Sequence, residues 1–181
     1  MSADTPIPAV PIKRFTTEYV VAEDRIRLSL EREDGKILVL WLTRRLMTRL
    51  VPQIVKIFDT LPHLQQAQAA PPSDNAQRRS QLDALGKLEQ QSPVLGGTQP
   101  DDLETHLITG LGLRMARGGI LLDFKVGEAI VQTIPFREEP LRQWLGMLHL
   151  NFTKADWNDD VWPAWITAKG WDKGPDALRL N

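Results

Sequence analysis

From Arg25 the chain alternates without interruption. Ile26, Leu28 and Leu30 fall on one side, and Arg25, Arg27, Ser29 and Glu31 on the other. That is the period-two signature of a strand with one buried face. Phe15, Thr17 and Tyr19 predict a strand before it. Asp34-Gly35 tolerates positive φ and predicts a two-residue hairpin turn. The run from Ile37 to Leu42 is apolar on both faces and predicts an interior strand. Thr43 then caps a helix on which Leu46, Met47, Leu50, Ile54, Ile57, Phe58 and Leu61 recur every three or four positions. Pro52 inside that stripe costs roughly 3 kcal/mol in a regular helix, which predicts a kink or break between Leu50 and Pro52.

The same order returns further along. Leu107, Thr109, Leu111, Leu113 and Met115 alternate, Gly118-Gly119 turns the chain, Ile120 to Phe124 runs back, Gly127-Glu128 turns it again, and Ala129 to Ile134 completes three strands. Glu138, Glu139 and Pro140 signal a helix start, and Leu141, Trp144, Leu145, Leu148 and Phe152 supply its apolar stripe. One such meander with one helix cannot bury both of its apolar faces, whereas two units can cover each other. The expected fold is α+β: two strand-strand-strand-helix units forming antiparallel sheet with helices packed on it, in a pseudo-twofold arrangement.

Residues 1–14, with Pro6, Pro8 and Pro11, read as a flexible lead-in. Residues 15–181 read as a single domain. Within it, unit one spans 15–61, a flexible Gln/Pro-rich excursion 62–104, unit two 105–154, and a Trp-rich C-terminal segment 155–181. The excursion holds eight of the eleven glutamines, beside Pro71-Pro72 and Gly96-Gly97. So little apolar area does not offset the entropy of ordering it. Leu82, Leu85 and Leu88 mark one face of a short helix inside it.

Composition narrows the chemistry. At 181 residues and 42% hydrophobic, the chain suffices for one core. A net charge of -1 leaves any attraction to nucleic acid or lipid to a local patch. The absence of cysteine removes disulfides, thiolate metal ligands and thiol nucleophiles. The N-terminus lacks the basic start and apolar run of a secretory leader, and the longest apolar run, Ile37 to Leu42, falls far short of the ~20 residues that span a bilayer. The expectation is a soluble cytoplasmic protein without membrane contact. Asn151-Phe152-Thr153 fits a glycosylation acceptor, a pattern common by chance.

Catalytic spacings are missing. There is no phosphate-cradling loop, serine elbow or paired-histidine zinc motif. Gly110-Leu111-Gly112 opens like a dinucleotide fingerprint, but Met115 holds the third glycine position and the stretch reads as a strand. His63, His106 and His149 have no second ligand at metal spacing. No catalytic residue, metal or cofactor is nominated, and the balance tips away from an enzyme.

Two clusters remain. Arg44, Arg45 and Arg49 crowd the first turns of the first helix, against its macrodipole, which suggests an anion-binding patch. The plainer explanation is ion pairing with Glu31, Glu33 or Asp59. Trp157, Trp162, Trp165 and Trp171 put four of the six tryptophans in the last 25 residues. Such large apolar groups either seal the core or anchor a protein partner. The expected function is a non-enzymatic protein-interaction or assembly module, working through the tryptophan tail, the glutamine-rich excursion or both. The alternative is binding of an anionic ligand or nucleic acid through Arg25, Arg27, Arg44, Arg45 and Arg49. A homo-oligomer follows if the sheet keeps an open edge.

Overall fold

β1 (Ile12–Val20), β2 (Arg25–Arg32) and β3 (Ile37–Thr43) form the antiparallel meander that the alternation predicts, in a computed structural model that describes residues 10–65, 70–95 and 103–167. The fold is α+β. A second meander follows from β5 (Gly110–Ala116), β6 (Gly119–Val126) and β7 (Ala129–Arg137). The helices are α1 (Arg44–Gln65), α2 (Asp74–Gly86), α3 (Glu138–Lys154) and the single turn α4 (Ala164–Thr167). The order strand-strand-strand-helix thus recurs, as β1-β2-β3-α1 and β5-β6-β7-α3. Compactness cuts across it: residues 1–46 and 91–136 form one unit, residues 47–90 and 137–181 the other. The described strands lie in the first unit, save Arg137 at the end of β7, and α2, α3, α4 and most of α1 in the second. Most of the lead-in, parts of the excursion and the tail beyond 167, Trp171 included, lie outside the described residues. No described helix is long and apolar enough to cross a membrane.

In the strand unit, Phe15, Leu30 and Leu38 stand in one row across β1, β2 and β3, Thr17, Leu28 and Leu40 in the next, and Tyr19, Ile26 and Leu42 in a third. The six aliphatic side chains on β2 and β3 are fully buried. At ~1.5–3 kcal/mol for each large apolar group removed from water, this face is the main stabiliser of the meander. β1 begins at Ile12, inside the stretch that the prolines marked as lead-in. The β2–β3 loop holds three residues, Glu33, Asp34 and Gly35, because Arg32 and Lys36 pair through the Arg32 amide. Gly35 there takes φ +81, open to glycine and strained for other residues.

The alternating run from Leu107 to Met115 is not one strand. β4 (Glu104–Leu107) lies parallel to β3, pairing Glu104 with Leu38 and Leu107 with Trp41. The Ile108 amide still donates to Trp41 O, but the next amide, of Thr109, donates to Lys125 O of the second sheet. The chain therefore changes sheets between consecutive residues, giving a four-stranded sheet β1-β2-β3-β4 and a three-stranded sheet β5-β6-β7. Thr109 Oγ1 braces this corner by accepting from the Gly127 amide at 2.8 Å. The sheets meet where the rings of Phe15 and Phe136 stand edge-on, centroids 5.9 Å apart.

In the helical unit, α1 runs through Pro52 without interruption. Met47, Leu50, Val51, Ile54, Ile57, Phe58 and Leu61 are buried along it, a combined burial far larger than the ~3 kcal/mol that the proline costs. The α3 stripe of Leu141, Trp144, Leu145, Leu148 and Phe152 is buried as the spacing predicts. α2 differs from its expected face. Leu82 is 47% exposed, and the buried residues are Gln77, Gln81 and Ala84. Gly146 of α3 lets this face approach, since a Cβ there would stand 2.7 Å from Leu85 Cδ2.

Candidate functional site

The three described tail tryptophans are buried within the helical unit. α3 ends with Asp156 at φ 53, the Asp156 amide donating to Thr153 O and the Trp157 amide to Phe152 O. This is the paired hydrogen-bond pattern of a left-handed helix terminus. It turns the tail back so that Trp157 and Trp162 each meet the Phe152 ring edge-on at 5.1 Å. Trp162 also stands 4.9 Å from His149, and Trp165 6.3 Å from Phe58. Their apolar area thus serves the unit's own core, and these three rings form no exposed platform for a partner; Trp171 lies outside the described residues. Asn151, of the glycosylation pattern, is buried in α3.

Arg44, Arg45 and Arg49 are exposed on the first two turns of α1. Two of the carboxylates proposed as their partners are engaged elsewhere: Glu31 by Lys13 and Arg14, Asp59 by Gln77. Among the described residues neither Arg45 nor Arg49 forms an ion pair. Arg25 and Arg27 pair with Glu23 and Glu18.

The sheet edges are unequal. β1 has the stretch from Ser92 to Val94 held against it, Arg14 Nη1 donating to Ser92 O at 2.7 Å and the Val94 amide to Thr16 Oγ1 at 2.9 Å. β4 has four residues. β7 contains Pro135, which lacks a ladder donor and blunts an edge. β5 is different. It has seven residues, no proline and two glycines, ends its sheet, and among the described residues pairs only with β6. Its side chains alternate between an apolar row, Leu111, Leu113 and Met115, and a row of Gly110, Gly112, Arg114 and Ala116. Met115 is 50% exposed. An open strand of this kind is a template for pairing with another extended chain.

The second row lies over a buried carboxylate. Asp123 of β6, 2% exposed, stands opposite Gly112. Arg114 Nε and Nη2 donate to its two oxygens at 2.6 and 2.7 Å, and Thr133 Oγ1 donates to Oδ1 at 2.6 Å. The Arg114 hydrogen bonds hold the Asp123 carboxyl below the usual carboxylate range, with burial opposing and Thr133 assisting. Without these donors a carboxylate so enclosed would be costly to keep charged. A Cβ at position 112 would lie 3.5 Å from both Asp123 Oδ2 and Lys125 Cε, so the Lys125 stem passes beside the carboxylate where β5 has no side chain.

The helical unit holds a second polar cluster. Arg142 of α3, 4% exposed, lies 4.1 Å over the Phe58 ring, donates to Gln77 Oε1 at 2.7 Å and pairs with Glu138 at 3.0 Å. Gln81 Nε2 donates to Arg142 O at 2.7 Å. Arg142 Nη1 and Gln81 Oε1 have no partner among the described residues. An open groove of about 240 Å³ beside them is lined by Ser80, Asp83, Ala84, Glu138, Glu139 and Arg142. Lys87 bridges Asp83 and Glu139 at 2.8 and 3.0 Å, closing much of its acidic rim. This arrangement fastens α2 to α3. Among the described residues no three His, Asp or Glu side chains converge as metal ligands.

Sequence reasoning missed the β5 edge because it joined β4 and β5 into one strand. The signal that separates them is Thr109-Gly110, a corner-forming pair inside an otherwise regular alternation. No protein-family model, curated protein or solved structure matches this chain.

Proposed function

We propose that this protein is a non-enzymatic interaction or assembly module that takes up an extended polypeptide segment along β5. One observation carries the reading: among the described residues β5 is a full-length edge without proline or a covering segment, while the other three edges are flanked, short or interrupted. Main-chain hydrogen bonds would supply affinity, and Leu111, Leu113 and Met115 the side-chain preference. The docking role thereby moves from the tryptophan tail to the strand unit.

A photo-crosslinking amino acid at position 115 of the full chain tests this, with the same group at Val21, which is 79% exposed, as the control. Illumination in an extract of the source cells is expected to give a discrete polypeptide adduct at 115 and none at 21. Equal yields at both positions, or none at 115, would end the proposal.

A second reading, binding of an anionic ligand or nucleic acid through Arg44, Arg45 and Arg49, is favoured by the exposure of all three. A salt titration separates the two, because phosphate contacts weaken steeply with ionic strength and strand pairing does not.

A further inference from the structure

We propose that α2 is a latch: it leaves α3 as a unit while α1, α3 and the tryptophan turn stay folded, and its departure uncovers the guanidinium of Arg142. The three long helices are held in different ways. α1 buries seven large apolar side chains and α3 five. α2 buries one small one, Ala84, beside Gln77 and Gln81. Its larger apolar groups stay at the surface or its margin, Leu82 exposed and Leu85 half-buried. Because burial of apolar area is the main force that docks an element, α2 is the helix with the least to lose by leaving.

What fastens it is polar. Gln77 Nε2 donates to Asp59 Oδ1 at 3.0 Å, and Gln77 Oε1 accepts from Arg142 Nη2 at 2.7 Å. Gln81 Nε2 donates to Arg142 O at 2.7 Å, and Gln143 Nε2 to Ala84 O at 2.9 Å. Water takes over each of these bonds when the helix leaves, so each contributes little net. Lys87, itself paired with Asp83, adds one ion pair across to Glu139, and all three side chains are exposed to screening. Docking also encloses Arg142 Nη1 and Gln81 Oε1 without a partner among the described residues, and opening returns both to water.

The chain around α2 lets it move by itself. Residues 70–73 before it and 88–93 after it belong to neither helix nor strand. Its N-cap is its own, the Ser73 Oγ accepting from the Ala76 amide at 3.3 Å. Beneath it, the Arg142 guanidinium lies 4.1 Å from the Phe58 centroid and Trp165 stands edge-on to the same ring, contacts that do not pass through α2. A helix of 13 residues is marginal in water on its own, so α2 melts once detached and its amides become free to exchange.

Native-state hydrogen exchange of the full chain, followed by NMR in urea below the unfolding transition, tests the latch. The amides of Gln81, Ala84 and Leu85 are expected to exchange at least ~10-fold faster than those of Leu145 and Leu148. Their urea dependence should be shallower, because the opening exposes little area. A second measurement forces the latch. A Cβ at position 146 would stand 2.7 Å from Leu85 Cδ2, and the longer Gly146→Met side chain should push α2 away. The α2 amides should then lose protection while those of α1 and α3 keep theirs, and Arg142, 4% exposed when covered, should react with phenylglyoxal faster than in the wild type. Wild-type α2 amides that exchange at the rate and urea slope of the α3 amides would overturn the inference. So would a Gly146→Met chain in which α1 and α3 lose protection together with α2, or one in which Arg142 reacts no faster.

Discussion

The amide of Trp157 donates to the carbonyl of Phe152 at 3.0 Å while the two rings stand edge-on, centroids 5.1 Å apart. One turn of backbone thus fixes both the end of α3 and the direction of the aromatic tail. Asp156 holds the left-handed position, φ 53, that this turn requires.

A side chain at such a position costs roughly 1–2 kcal/mol in strain, and glycine returns about 0.4–1 kcal/mol of that as unfolded-state entropy. Asp156→Gly is therefore expected to stabilise the protein by about 0.5–1 kcal/mol, read as a higher denaturant midpoint with an unchanged m-value. Asp156→Val should lower the midpoint.

Arg142 is worth more as a packed side chain than as a charge. Its guanidinium lies on Phe58 and its polar atoms meet Gln77 and Glu138. Glu138 is 44% exposed at its side chain and regains water when Arg142 is removed, whereas Gln77 does not. Arg142→Ala is expected to cost about 3 kcal/mol, from lost packing and the stranded Gln77. The double replacement Arg142→Met with Gln77→Leu should come within about 1 kcal/mol of wild type, because a buried polar pair exchanged for apolar groups of similar volume is often neutral. Urea denaturation of the four corners of the cycle would show it.

Asp123 predicts the acid limb of stability. Its folded-state pKa is depressed by Arg114, so between that value and the unfolded value of about 3.9 the unfolded chain binds more protons. The contribution is present above about pH 4 and is lost as pH falls through the folded pKa. Asp123→Asn should be less stable than wild type at neutral pH. It should also lose stability less steeply in acid, as thermal melts across the acid range would reveal.

Much of the architecture was legible because it depends on local periodicity. The β2 alternation, the doubly apolar β3 and the α3 stripe each declare their buried positions within a few residues. What was illegible depends on partners distant in sequence. Nothing local shows that the Ile108 and Thr109 amides bond different sheets, since the alternation runs through the corner unchanged. The α2 face was misassigned for a related reason: leucines suggest burial, but the neighbour is the polar edge of α3 around Arg142, so Gln77 and Gln81 are the residues that match it. The tryptophan cluster was visible as composition, and only the turn at Asp156 shows that three of its rings face inward. The candidate edge at β5 became visible once sheet order was known, because an open edge is a property of what does not pair with a strand.

His149 gives a prediction near neutral pH. Burial lowers its pKa below the ordinary histidine value, with Asp159 opposing. Its ring stands 4.9 Å edge-on to Trp162. Because the folded value lies below the unfolded one of about 6.5, the unfolded chain takes up the proton first as pH falls. Stability from this group is complete above about pH 6.5 and diminishes below it until the folded pKa is passed. His149→Phe keeps an aromatic ring against Trp162 and removes the titration. Its stability should stay level over the interval in which the wild type declines. A proton NMR titration of the His149 ring should place its midpoint below that of a histidine in an unstructured peptide, and an equal or higher midpoint would refute the assignment.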